Sequence, residues 1–346
     1  MLAQRRVILG CCTSLALLAL SGCEAGYFVQ AARGQAAVLA ARRPIERVIA
    51  DSRTASPLRA RLETLREARD FASRELALPD NRSYRSFAAL PREFVVWNVV
   101  ATAEFSTQPR QWCFPVAGCV SYRGYFHEAP AQRFAQKLRR RGDDVIVGGV
   151  PAYSTLGHFA DPLLSTMLRY DDAYVAGTIF HELAHQRLYV PGDSSFNESF
   201  ATTVEAAGLK RWLGGRGRPD ELTRWRESRA RQQRELQLID AARADLARLY
   251  ASHAPIAPMR ALKQSRLQQL ADEIHALRGA GADNAKPAVA RALNNADLAI
   301  SGTYFDCVPQ LEAELAAVNG DLPRFYARAA TLARLNQRKR HALVCR

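Results

Sequence analysis

The sequence predicts an α+β protein, predominantly α-helical, with a small sheet in its first half and a long helical segment in its C-terminal half. Three observations lead there. Apolar residues recur at helical spacing along much of the chain, the pattern of helices that bury one face. Two stretches, Phe94 to Val100 and Asp144 to Val150, have instead the β-rich run of a buried strand. From Asp220 to Arg278 the composition shifts to Arg, Glu, Gln, Leu and Ala, which reads as a helical hairpin. With 346 residues and 48% apolar composition the chain can build a full core. Residues 23–346 are expected to form one domain, with 220–280 as its helical-hairpin subregion.

Residues 1–22 are set apart from that domain. Arg5-Arg6 give a charged start, Val7 to Leu20 a short apolar run, and Leu20-Ser21-Gly22-Cys23 small residues before a cysteine. The run is too short to span a bilayer comfortably and has the layout of a secretion signal. Its last four residues resemble a bacterial lipobox. That resemblance implies cleavage before Cys23, diacylation of its sulfur and anchoring at a membrane face. Glu24 is not the aspartate that tends to hold enteric lipoproteins in the inner membrane, so the expected location is the periplasmic side of the outer membrane. The plainer alternative is a secretion signal with Cys23 incidental. Cys113, Cys119, Cys307 and Cys345 would then face an oxidising compartment. Cys113 and Cys119 flank a turn-prone stretch and suit a local staple, which leaves Cys307 and Cys345 to tie down the C-terminus. Four cysteines allow three pairings, and spacing does not choose among them.

The elements follow in order. Tyr27 to about Ala50 is predicted as a helix that Pro44 kinks or ends, and Leu58 to Leu76 as a second, charged amphipathic helix. After the Phe94 strand, Phe105 to Tyr125 carries Pro109, Pro115, Gly118 and Gly124 and reads as loop with short strands. Pro130 to Arg140 is a helix stopped by Gly142. The Asp144 strand leads into an extended loop, Pro151 to Pro162. Asp171-Asp172 cap the next helix and put negative charge in its first turn. That helix ends near Tyr189, before Pro191-Gly192, and another starts after Ser194-Ser195. The hairpin from Asp220 breaks near Ala254-Pro255 and closes at Gly279-Ala280-Gly281. A last helical segment begins at Asp321-Leu322-Pro323.

The chemistry-bearing pattern is His181-Glu182-Leu183-Ala184-His185, followed by Asn197-Glu198. On a helix, positions i and i+4 share a face, so both imidazoles can hold one metal ion while Glu182 addresses the adjoining water. His181 and His185 supply two ligands. The break at Pro191-Gly192 lets the chain reverse and present Glu198 as the third, with Zn2+ the metal that such a set suits. Glu205 is the rival ligand; it lies on the same helical face and alternatively orients a histidine from behind. Glu182 is the candidate general base, and Tyr153 and Tyr189 are candidate oxyanion donors. The uncharged neighbours Thr178-Ile179-Phe180 and Leu183-Ala184 suit a buried metal helix, whereas Arg187 departs from that pattern. His127 and His158 read as ordinary polar histidines, although His158 is placed to line the cleft. His253, His275 and His341 are assigned nothing.

Several stretches together resemble a bacterial family described as zinc aminopeptidases, many of them lipoproteins. They are Gln30 to Gln35, Val95 to Val100, Trp112 to Cys119, Gly148 to Gly157, Ile179 to Gln186 and Phe196 to Ala201. Asn197-Glu198-Ser199-Phe200-Ala201 is similar to the Asn-Glu-x-x-Ala element of the gluzincin peptidases. The resemblance implies a zincin-like fold, one zinc on His181, His185 and Glu198, and Glu182 as the base. The chain has no Gly-x-Met-Glu-Asn element, which in one large aminopeptidase group holds the substrate's free amine.

The expected function is therefore that of a membrane-anchored zinc peptidase acting on peptides or proteins, with aminopeptidase action favoured and an envelope endopeptidase as a variant. The alternative from another class is an envelope scaffold or peptide-binding lipoprotein with the hairpin as its partner surface. Glu182 argues against it, because a structural metal site has no use for a carboxylate beside an open position. The formal charge is +14, or +12 without Arg5 and Arg6. Such a surface favours anionic lipid headgroups or acidic cell-wall polymers over nucleic acid for an exported chain. The simpler reading is a solvated basic face, since much of the charge lies on helical patterns such as Lys137 to Arg141 and Arg338 to Arg340.

Overall fold

The computed structural model describes residues 25–114, 118–217, 219–252, 254–279 and 291–345. The leader and Cys23 lie outside them, as does His253. The chain opens with helix α1 (25–40). It leaves that helix before Pro44, runs through β1 (Arg42–Pro44) and restarts as α2 (Ile45–Ala50). Pro44 thus does not kink a continuous helix. It sits at the N-cap of α2, where its lack of an N–H breaks no helical bond.

Next come α3 (Ser56–Leu76), β2 (Ser86–Ala88), β3 (Val96–Thr102), β4 (Trp112–Phe114), β5 (Gly118–Val120) and β6 (Arg123–Tyr125). They are followed by α4 (Glu128–Arg139), β7 (Asp144–Val150) and β8 (Leu163–Leu164). In place of one small sheet the described residues form three: β1-β2-β8, β6-β3-β7 and the hairpin β4-β5. In the second, β3 pairs antiparallel with both neighbours, Trp97 lying opposite Tyr125 on β6 and Gly149 on β7. The first sheet escapes a sequence reading because its strands span two or three residues, too few to display a period.

The second half is helical: α5 (Asp172–Arg187), α6 (Ser194–Gly215), α7 (Pro219–Ala251), α8 (Ile256–Gly279), α9 (Asn295–Phe305), α10 (Val308–Ala316), α11 (Leu322–Ala333) and α12 (Gln337–Val344). The predicted hairpin is α7–α8, and α9 and α10 are additions to the sequence reading. One large core joins α3, α5, α6 and the C-terminal helices through Leu62, Leu65, Phe180, Phe196, Phe200 and Phe325. A smaller one lies between β3 and α4, and a third inside the α7–α8 hairpin. The structure pairs Cys113 with Cys119 across β4–β5, and Cys307 with Cys345. Among the described residues, no helix is long and apolar enough to cross a membrane.

Candidate metal centre

Helix α5 is fixed at its start. Asp171 accepts from the Tyr174 N–H at 2.7 Å, satisfying one of the orphan donors of the first turn. Arg61, on α3, donates to Asp172 at 2.8 Å and to the carbonyls of Leu168 and Tyr170. The body of α5 is then buried through Val175, Ala176, Ile179, Phe180, Leu183 and Ala184. Arg187, the charged departure from the pattern, is exposed, and its guanidinium lies over the Tyr326 ring at 5.4 Å. Gly177 lets α6 come close: a Cβ there would stand 2.9 Å from Leu209 Cδ1 and 3.1 Å from Glu205 Oε1.

The start of α6 is held more elaborately than its sequence announces. Asn197 clamps the preceding turn, accepting from the Val190 N–H and donating to the Val190 carbonyl, each at 2.8 Å. This explains why an amide stands just before Glu198: it fixes the turn to the helix that presents the carboxylate. The helix starts at Ser194 rather than after Ser195, with Asp193 as its cap, and Asp193 accepts from the Phe196 N–H at 3.2 Å. Its carboxylate also takes two bonds from Arg340, one of them at 2.5 Å, and faces His341 at 2.8 Å. Burial alone would raise the Asp193 pKa, but His341 and Arg340 outweigh it and hold the carboxyl below its usual range. The Cys307–Cys345 bond anchors the same C-terminal segment, and Cys307 N–H donates to Ser199 Oγ at 3.2 Å.

Together these elements bring three ligand atoms to one point. His181 Nε2 lies 3.2 Å from His185 Nε2 and 3.2 Å from Glu198 Oε2, and His185 Nε2 lies 3.6 Å from that same oxygen. A tetrahedral ion with bonds of about 2.0–2.1 Å requires ligand-to-ligand edges of about 3.3 Å. The donor set therefore fits a zinc-sized ion without rearrangement. Glu205 is placed behind His181, its Oε2 3.1 Å from Nδ1. A carboxylate there accepts the Nδ1 proton and leaves the Nε2 lone pair facing the cluster. Among the described residues His185 Nδ1 has no partner.

The electrostatics agree with a cation site. Burial opposes charge on His181, yet the carboxylates of Glu198 and Glu205 raise its pKa well above the usual value. Burial likewise pushes Glu198 up, and the two histidines reverse this and lower it to about 2. A cation entering the site thus competes with a proton on His181. Glu182 behaves differently: burial raises its pKa while His181 and His185 oppose the rise.

Of the candidate donors, Tyr189 has its ring 6.1 Å from that of His185, and burial and then Glu198 raise its pKa. Tyr153 packs edge-on against Phe126 and gives its hydroxyl to Gln35 Oε1. Two further tyrosines escaped the sequence reading. Tyr122, just after β5, lies within electrostatic reach of Glu198 and Glu182, and burial raises its pKa. Tyr84 is buried, has no hydroxyl partner among the described residues, and lies in the field of Glu182 and Asp161. Its backbone is left-handed at φ 61°, a costly state for a bulky residue that needs surrounding structure to hold it. Buried Arg69 supplies that hold through the carbonyls of Ser83, Pro79 and Asn81. No spacing rule connects such loop residues to a distant helix, so the sequence carried no signal for either tyrosine. His127, His158 and His275 are exposed and stand outside the cluster.

A family model described as "Putative aminopeptidase" matches residues 26–344. The chain belongs to that family. The match spans both the cluster and the C-terminal segment that braces α6. No curated protein and no solved structure matches the chain.

Proposed function

We propose that the chain is a zinc-dependent peptidase, an aminopeptidase by preference, in which His181, His185 and Glu198 hold the metal and Glu182 is the general base. The carrying observation is the convergence of the three ligand atoms at near-tetrahedral edges, with Glu182 one residue from His181 on the same buried helix. Bound there, zinc would polarise the scissile carbonyl and acidify water. Glu182 takes the proton of the attacking water and returns it to the leaving amine; burial raises its pKa toward the range in which both transfers are effective. Tyr189, beside His185, is the better-placed donor to the developing oxyanion. Tyr153, its hydroxyl on Gln35, is assigned to the wall of the cleft. The edge strand β7 and its following loop form the rim along which an extended peptide pairs through its backbone.

The leader supports a lipid anchor at Cys23 and a place on the periplasmic side of the envelope, where both disulfides are stable. Detergent partition of the intact chain beside Cys23→Ser tests this part alone; equal partition of the two rejects it.

The test of the activity measures bound metal and hydrolysis of a mixed peptide library by the wild type and Glu182→Gln. One zinc in each, with cutting by the wild type alone, sustains the reading, and stepwise loss of N-terminal residues sustains aminopeptidase action. Zinc in both with no cutting by either moves the scaffold reading ahead. Absence of metal from both rejects the site.

A further inference from the structure

The basic run Lys137 to Arg141 plays no part in the proposed catalysis, yet it borders a cavity of about 450 Å³ between α4 and β4. That volume lies within the range of small-molecule sites, ~300–1,000 Å³. None of His181, Glu182, His185 and Glu198 lines it. Its apolar wall is Trp112 and Phe134, whose rings meet edge to face at 6.3 Å. Arg123 lies over the Phe134 ring at 4.9 Å and the Tyr27 ring at 4.0 Å, which fixes its guanidinium in the wall. Arg110 is balanced by Asp143, the one acid among the described lining residues, through bonds of 2.8 and 2.5 Å. Lys137 and Arg141 are exposed at the mouth and make no ion pair among the described residues.

Cations near the end of a helix ordinarily complement its dipole, and that accounts for Lys137 and Arg141 taken alone. It does not account for Arg110 and Arg123, which arrive from the segments before β4 and in β6 to line the same cavity. With Arg110 offset by Asp143, Lys137 and Arg141 leave two positive charges at the cavity, which suit a dianion, and the Arg141 guanidinium matches phosphate oxygens. The cavity is also larger than a phosphate group alone fills, and its remaining wall is aromatic.

We propose that this cavity binds an organic phosphate, with the phosphate among Lys137, Arg141 and Arg110 and the organic part against Trp112 and Phe134. The proposal is independent of the peptidase reading. A soluble phosphate ester and a phospholipid headgroup offer the same chemistry. Calorimetric titration of the full chain with phenyl phosphate tests it, beside Lys137→Ala/Arg141→Ala, two exposed positions whose loss leaves the melting temperature in place. Saturable binding that weakens at least about tenfold in the variant (about 1.4 kcal/mol) supports it. Absence of saturation at millimolar ligand, or equal binding by the variant, overturns it. In a parallel arm, phosphatidylglycerol vesicles that bind the chain and are displaced by phenyl phosphate identify a headgroup. Phenyl phosphate binding without vesicle binding identifies a soluble ester. Vesicle binding indifferent to both phenyl phosphate and the double variant is diffuse surface attraction and counts against the site.

Discussion

Two helical pairs in this molecule are built on opposite plans. In α5–α6 much of each helix is buried, including twelve residues of α6, among them Ser199, Thr202 and Thr203. In α7–α8 the helices are longer and far wetter, with only Ala242 and Leu246 buried over the length of α7. That hairpin is held by a thin apolar seam, which includes Leu267 and Leu270, and by ion pairs such as Arg278–Glu235 and Arg266–Asp245. The difference is one of tolerance. A solvated hairpin can shift by an ångström with little loss, whereas the His181, His185 and Glu198 cluster, drawn from two helices, cannot.

The sharpest way to separate the two pairs is Glu182→Gln, expected to lower kcat by roughly 10²–10⁴-fold with metal content and melting temperature unchanged. Arg340→Ala comes next. It leaves the buried Asp193 carboxylate with only His341 and the Phe196 N–H and is expected to cost about 3 kcal/mol, read by urea unfolding. The same variant predicts a pH dependence. Because the folded pKa of Asp193 is depressed, the stability from its pairing is present above the unfolded value of about 3.9 and is lost as the pH falls through the folded one. The difference between wild type and variant therefore narrows on acidification below about pH 4; a constant difference would exclude Asp193 as its source. A milder effect is expected of Glu205→Ala, which removes the brace behind His181 and weakens metal affinity by about 10–100-fold, measured by chelator competition. Arg278→Ala in the hairpin should change stability by less than about 1 kcal/mol and activity not at all. If instead it impaired hydrolysis, the contrast between the two pairs would be wrong.

What could be read beforehand divides along the same line. The His181–Glu182–His185 face and the Asp171 cap are local, and local periods are visible in one sequence. The α7–α8 hairpin was legible for the same reason, as was β7. The Asp193 brace was not, since its partners lie 147 and 148 residues away. Three-residue strands such as β1 and β2 carry no alternation, and Tyr84 enters the field of Glu182 through a loop conformation that only the folded chain imposes.

The brace on α6 has a consequence for how the molecule comes into being. The ribosome releases His181, Glu182, His185 and Glu198 long before Arg340, which lies 147 residues beyond Asp193. Until that later segment arrives and docks, the turn that leads to Glu198 lacks one of its two fastenings. A chain not yet extended to Arg340 therefore holds the His181, His185 and Glu198 cluster without its full support. Maturation of the centre reports that synthesis has passed Arg340.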